Sequence, residues 1–202
     1  MCDIEVSTIV NDILQSCTYI LSRENRNGVY IVDCGNAEPI IEFVENNNKI
    51  IEGIILTHSH YDHIYGLNAL LEKAPNLVVI AGRQTFDGLE DVDVNMSYLY
   101  IDDDFLVRLN DNQRIIVEDG SVHDILGSNL ECMATPGHTP DCMSFIIGES
   151  IFTGDSYNPA SPVFTKWRNS DVQLALTNEN KIREIINRRG LKVFPGHKMD
   201  EI

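Results

Sequence analysis

The sequence predicts a single α/β domain, residues 1–202, with two β-sheets packed face to face and helices outside them. Three observations lead there. Apolar runs of strand length are followed by helical patterns in both halves of the chain. Between them lies a stretch of short, alternating strands of antiparallel character. No low-complexity linker or second apolar core interrupts the 202 residues. A chain of that length is one domain in size and buries roughly 70% of its unfolded surface.

The elements follow in order. Val6–Val10 and Cys17–Ser22 read as two short strands, with Asn11 and Asn25–Gly28 at the turns. Val29–Gly35 is an apolar strand closed by a glycine. Ala37–Glu45 places Ile40, Ile41 and Val44 on one helical face, and Asn46–Lys49 ends it. Ile50–Leu56 is another apolar strand. An amphipathic helix over Ile64–Leu71 stops near Pro75, and Leu77–Ala81 is a third strand ahead of Gly82. Thr85–Asp104 is acidic and irregular and reads as a solvated loop or short helix. Short strands are expected at Phe105–Leu109, Gln113–Glu118, Asn129–Ala134, Met143–Ile147 and Ile151–Thr153. Val172–Arg189 is the last helix, with Asp171 as N-cap and Gly190 as stop. Lys192–Phe194 is the final strand.

Charge removes several classes of partner. The chain carries 15 basic and 31 acidic residues, a net charge of −16. Such a surface repels phosphate backbones and anionic lipid, so neither nucleic acid nor membrane is an expected partner. No apolar run approaches the roughly 18 residues of a membrane span. The N-terminal Met-Cys-Asp-Ile-Glu lacks the basic and apolar regions of a signal peptide. Cys2, Cys17, Cys34, Cys132 and Cys142 are scattered, without C-x-x-C spacing. They read as reduced thiols in a cytoplasmic protein.

Chemistry concentrates in Thr57–His63, T-H-S-H-Y-D-H, at a strand-to-helix junction. His58, His60, Asp62 and His63 put three imidazoles and a carboxylate within six residues. These donor types suit zinc and iron. Three further donors end apolar runs: His138 in T-P-G-H-T-P, Asp155 in F-T-G-D-S and His197 in F-P-G-H-K. Each follows a glycine, which allows a sharp turn and close backbone approach. Five of the six histidines are among these donors; His123, in S-V-H-D, reads as a surface turn residue. The seven donors exceed one tetrahedral shell and match a two-metal site completed by water. Two such ions, roughly 3.5–4 Å apart, hold a hydroxide at neutral pH and polarise a carbonyl or phosphoryl oxygen. Hydrolysis is the chemistry that follows.

The motif series H-x-H-x-D-H, P-G-H, T-G-D and P-G-H, in this order, resembles the metallo-β-lactamase fold superfamily over about Ser16 to His197. The resemblance implies a four-layer αββα sandwich with the metals at one rim of the sheets. It implies two zinc ions, with iron or mixed iron and zinc as the alternative. His58, His60 and His138 would bind the first ion, and Asp62, His63 and His197 the second. Asp155 would bridge them, Asp62 would also orient the attacking water, and the hydroxide held by the metals would be the nucleophile. Aspartate at position 155 is similar to the glyoxalase II-like branch, which cleaves S-2-hydroxyacylglutathione thioesters. Members of that type often carry G-R-x-D/E after T-G-D; this chain has Ser156–Pro162 there, and Lys198 follows the last P-G-H.

A small-molecule substrate is the expected partner. Tyr157, Lys166, Trp167 and Arg168 lie between Asp155 and the last helix, where this fold places a pocket wall, and cations there would meet a carboxylate. The leading expectation is a zinc-dependent thioester or ester hydrolase. The rivals are a persulfide dioxygenase with one iron on two histidines and an aspartate, a nuclease of the same fold, and a non-catalytic binding module.

Overall fold

Side-chain alternation along each strand determines which layer its apolar residues build. The structure, a computed structural model, describes residues 4–198; Cys2 lies outside them. β1 (Ile4–Val10), β2 (Cys17–Arg23) and β3 (Gly28–Val32) pair antiparallel. β4 (Ile50–Ile55), β5 (Val78–Gly82) and β6 (Arg114–Val117) then add in parallel, completing a six-stranded sheet in sequence order. Parallel pairing needs crossovers. They are α1 (Ala37–Asn46) between β3 and β4, and α2 (Tyr61–Ile64) with α3 (Leu67–Lys73) between β4 and β5.

Between β5 and β6 the chain makes α4 (Arg83–Gly88), α5 (Val92–Asn95) and a 3-10 turn at Ser97–Leu99. The second sheet contains β7 (Val122–Ile125), β8 (Ser128–Ala134), β9 (Met143–Ile147), β10 (Ser150–Gly154) and β11 (Lys192–Pro195). Its order is β11-β10-β9-β8-β7, antiparallel except for β10–β11, which α6 (Val172–Arg189) connects.

Three apolar clusters define four layers. Leu21, Val32, Ile55 and Ile80 of the first sheet meet Leu130, Phe145, Ile147 and Phe152 of the second. Their neighbours Ile20, Ile31, Ile54 and Val79 point to the opposite face and pack under Ile40 of α1 and Leu67 and Leu70 of α3. On the far side of the second sheet, Met133, Ile146 and Ile151 pack with Ile182 of α6. Strands buried on both faces read as continuous apolar runs, as β9 and β10 do. The order is therefore helix, sheet, sheet, helix, the αββα sandwich the sequence predicts.

The ends of α6 follow its sequence. Asp171 Oδ1 accepts from the Leu174 amide at 2.9 Å, and Gly190 terminates the helix. Other elements differ from expectation. Phe105–Leu109 forms no strand; it is an extended segment whose alternation buries Val107 and Leu109 against the first core, with the Val107 amide bonded to Leu89 O. Burial of one side imposes the same period as a ladder does, so the pattern alone does not distinguish them. Of the two readings of Thr85–Asp104, solvated loop or short helix, the structure has short helices, and unlike a solvated segment it sends Phe86 and Leu89 into the core. His123 belongs to the strand β7, opposite Leu130, and not to a turn. The helix expected over Ile64–Leu71 is split, because the Gly66 amide bonds back to Cys34 O.

Candidate metal centre

The donors converge at one rim of the sandwich, where β4, β10 and β11 end and the β8–β9 connection crosses. Their backbone is pinned from several sides. Asp33, just beyond β3, accepts from the Thr57 amide (Oδ1, 2.8 Å) and the Thr57 hydroxyl (Oδ2, 2.8 Å). Asp141 Oδ2 accepts from the Ser59 amide at 2.8 Å, and the Ser16 hydroxyl donates to Asp62 O at 2.6 Å. Glycines permit the close packing. A Cβ at Gly154, where φ is +48°, would lie 2.6 Å from Thr57 Oγ1, and one at Gly196 would lie 2.1 Å from Asp155 Oδ1.

Seven side chains meet there: His58, His60, Asp62, His63, His138, Asp155 and His197. Asp62 Oδ2, His63 Nε2 and His197 Nε2 form a triangle with edges of 3.4, 3.4 and 3.4 Å. A tetrahedral ion with bonds of about 2.0–2.1 Å needs donors about 3.3–3.4 Å apart. A second group, His58, His60 and His138, lies beside it, with His60 Nδ1 3.0 Å from His138 Nε2. One oxygen joins the two groups. Asp155 Oδ2 is 3.3 Å from His138 Nε2 and 3.2 Å from His197 Nε2.

Hydrogen bonds on the outer ring nitrogens set the tautomers. His63 Nδ1 donates to Asp33 Oδ2 (2.9 Å), His138 Nδ1 to Phe164 O (2.7 Å) and His197 Nδ1 to Leu14 O (3.0 Å). Each leaves its Nε2 lone pair facing the centre. Thr57 Oγ1, whose proton goes to Asp33, is left to accept from His58 Nδ1 at 3.1 Å. Buried His58 Nε2, Asp62 Oδ2 and Asp155 Oδ1 have no hydrogen-bond partner. Unpaired buried polar atoms are costly, so their convergence fits bound cations.

Electrostatics agree. Burial, then the neighbouring imidazoles, lowers the His58 pKa far below its usual value and the His60 pKa to about 3, so both rings stay neutral donors. Burial opposes charge on Asp155, but His197, His63 and His138 hold its carboxyl well below the usual range. Burial likewise opposes charge on His63, while Asp62 and Asp155 raise its pKa strongly. The second triangle thus attracts positive charge, and an arriving cation displaces a proton.

A cavity of about 530 Å³ opens over the donors, with Leu14, Leu99, Tyr100, Phe164, Trp167 and Lys198 around it. Of the expected wall residues Trp167 lines this cavity, and Tyr157, Lys166 and Arg168 do not. Tyr157 is 6% exposed and packs with Ile151 and Ile182 beneath α6, its ring under the Arg183 guanidinium. Lys166 and Arg168 are exposed and do not line this cavity. In the irregular segment 163–168, Phe164 and Trp167 border the cavity while Lys166 and Arg168 face solvent. Sequence reasoning also missed Asp33. Its signal was a carboxylate ending an apolar strand beside the one that carries the histidines.

The comparisons with known proteins align with this geometry. Residues 11–197 match the family model of the Metallo-beta-lactamase superfamily. Over 139 residues the chain is 30% identical to a hydroxyacylglutathione hydrolase from Pseudoalteromonas translucida, spanning 68% of this chain and 45% of that relative. The fold superposes on BLEG-1 B3 metallo-beta-lactamase with a TM-score of 0.84 at 24% identity, covering 96% of this chain and 92% of that one. It superposes on TTHA1623, solved in a di-iron-bound form, with a TM-score of 0.78 at 20% identity and the same coverages, 96% and 92%. With its motif order, four-layer sandwich and His/Asp metal-binding site, the chain belongs to the metallo-β-lactamase superfamily.

Proposed function

We propose that this chain is a dinuclear zinc hydrolase of small thioesters or esters, similar in chemistry to hydroxyacylglutathione hydrolases. One observation carries the reading: two donor groups share a single carboxylate oxygen, Asp155 Oδ2, beneath a cavity of substrate size. His58, His60 and His138 would hold one ion, Asp62, His63 and His197 the other, and Asp155 both. Two bound ions supply an activated water and Lewis-acid polarisation of the substrate carbonyl.

The chain's own residues do the rest. Asp62 lines the cavity and accepts a hydrogen bond from the attacking water, which sets its direction. Asp33 holds His63 in one tautomer, and the carbonyls of Phe164 and Leu14 do the same for His138 and His197. Tyr100, Phe164 and Trp167 border the space above the donors where the substrate carbonyl would sit. A thiolate, with a pKa near about 8.5, departs without a general acid. That suits a cavity whose ionisable lining beyond the donors is Tyr61, Tyr100 and Lys198.

The 30% identity to a hydroxyacylglutathione hydrolase supports the same reaction class. A dioxygenase with one iron on two histidines and an aspartate would use three of the seven donors, whereas two ions give all seven a role. Cys17, Cys34, Cys132 and Cys142 are free and buried, which fits a reducing compartment, and we place the protein in the cytoplasm. The net charge of −16 favours a small molecule over nucleic acid or an anionic membrane as partner.

Metal quantitation on protein purified without added metal, followed by a panel of thioesters, lactones and phosphodiesters, tests this. The expected result is about two zinc ions per chain and thioester turnover that Asp62→Asn abolishes. One iron per chain with oxygen uptake on a persulfide would replace this reading with the dioxygenase.

A further inference from the structure

The cavity wall narrows the substrate. Leu14, Leu99, Tyr100, Phe164 and Trp167 give it an apolar face, and among the described lining residues Lys198 is the one side chain with a fixed positive charge. Leu14 is 58% and Phe164 46% exposed, although both sit beside a pocket on a protein dense in surface charge. Large apolar side chains gathered at a cavity mouth mark a surface that something apolar covers.

This face is tied to the donors. Phe164 O accepts from His138 Nδ1 at 2.7 Å, and Leu14 O accepts from His197 Nδ1 at 3.0 Å. The same residues that orient two histidines therefore project apolar side chains at the cavity. Leu14 adopts a left-handed backbone, φ +52°, a conformation that is unfavourable for a non-glycine residue. Trp167 stands with its ring centroid 6.2 Å from that of His60 and 5.1 Å from that of Phe164. An apolar group is thus held next to the reacting carbonyl and not at a remote subsite.

We propose that the substrate is a thioester or ester with a bulky apolar acyl group, medium-chain or aromatic, and not a conjugate recognised through a charged peptide thiol. This rests on the hydrolase reading above. Water adds to the carbonyl, the carbon–sulfur or carbon–oxygen bond breaks, and the products are the carboxylate and the thiol or alcohol. A glutathione portion carries carboxylates at both ends, and the lining offers Lys198 alone to meet them. Burial contributes about 0.8 kcal/mol per methylene, roughly a fourfold gain in affinity for each one that is covered.

Two measurements on the zinc-loaded protein test the proposal. The first compares kcat/KM for acetyl, D-lactoyl, hexanoyl and phenylacetyl thioesters of one thiol, N-acetylcysteamine, with S-D-lactoylglutathione beside them. Hexanoyl and phenylacetyl should exceed acetyl at least about 10-fold, and the ratio should fall at least threefold in Phe164→Ala and in Leu99→Ala, both at exposed or half-exposed sites. A flat series, or preference for lactoylglutathione, overturns the acyl assignment while leaving the hydrolase intact. The second reads binding through Trp167, the chain's one tryptophan. Hexanoate should perturb its fluorescence at a concentration at least about 10-fold lower than acetate. Equal affinities sink the proposal even if no thioester is turned over, an outcome that separately removes the hydrolase reading.

Discussion

Asp33 Oδ2 lies 2.9 Å from His63 Nδ1, and both groups are buried. The same carboxylate takes the Thr57 amide and hydroxyl. One side chain therefore fixes the backbone that enters the histidine motif and the tautomer of the histidine that leaves it. The parallel pairing of β3 with β4 makes this possible, because it sets the ends of the two strands side by side.

Asp33→Asn should weaken the Asp62/His63/His197 site selectively. An amide cannot take the His63 proton with a carboxylate's strength, and loss of such outer partners costs about 10–100-fold in metal affinity. Zinc titration followed by calorimetry should show one tight ion retained and the second weakened by that factor. Two ions bound at wild-type affinity would remove Asp33 from this role.

Asp155→Ala should affect both ions, because one oxygen faces both donor groups. Turnover is expected to fall at least about 100-fold, with fewer than two zinc ions retained after desalting. His197→Ala leaves the first donor group intact and should lose one ion only. Identical metal contents for the two variants would contradict a shared ligand.

Phe145→Ala probes the seam between the sheets. Phe145 is fully buried among residues of both sheets, and truncating such a ring costs about 3–5 kcal/mol. Urea unfolding should give a loss in that range with an unchanged slope. A loss below about 1 kcal/mol would mean that the two sheets do not share a tightly packed core.

The Arg189–Glu131 pair, joined by two bonds of 2.7 and 2.8 Å, gives a pH-dependent prediction. Arg189 lowers the Glu131 pKa through these bonds. A depressed carboxyl contributes stability above its unfolded pKa of about 4.3 and loses it as pH falls through the lower folded value. Both side chains are partly exposed, so Arg189→Ala should cost at most about 1 kcal/mol at pH 7. The gap between variant and wild type should close in acid below that folded pKa. A gap that widens in acid would reverse the assignment.

The sequence by itself singled out the seven side chains that converge at the rim, and the layer order. Donors need particular side chains, and His58, His60, Asp62, His63, His138, Asp155 and His197 stand in motifs with glycines beside the later three. Alternating pairs such as Ile54 and Ile55 declare two buried faces before any coordinates exist. Tertiary structure alone decided the cavity wall. Whether Trp167 or Lys166 faces the centre depends on the path of an irregular segment, which has no period to read. Leu14, Leu99 and Asp33 reach the site across the rim from elements distant in the chain. Local pattern encodes which face of an element is buried; only the packing of those elements decides what lies opposite it.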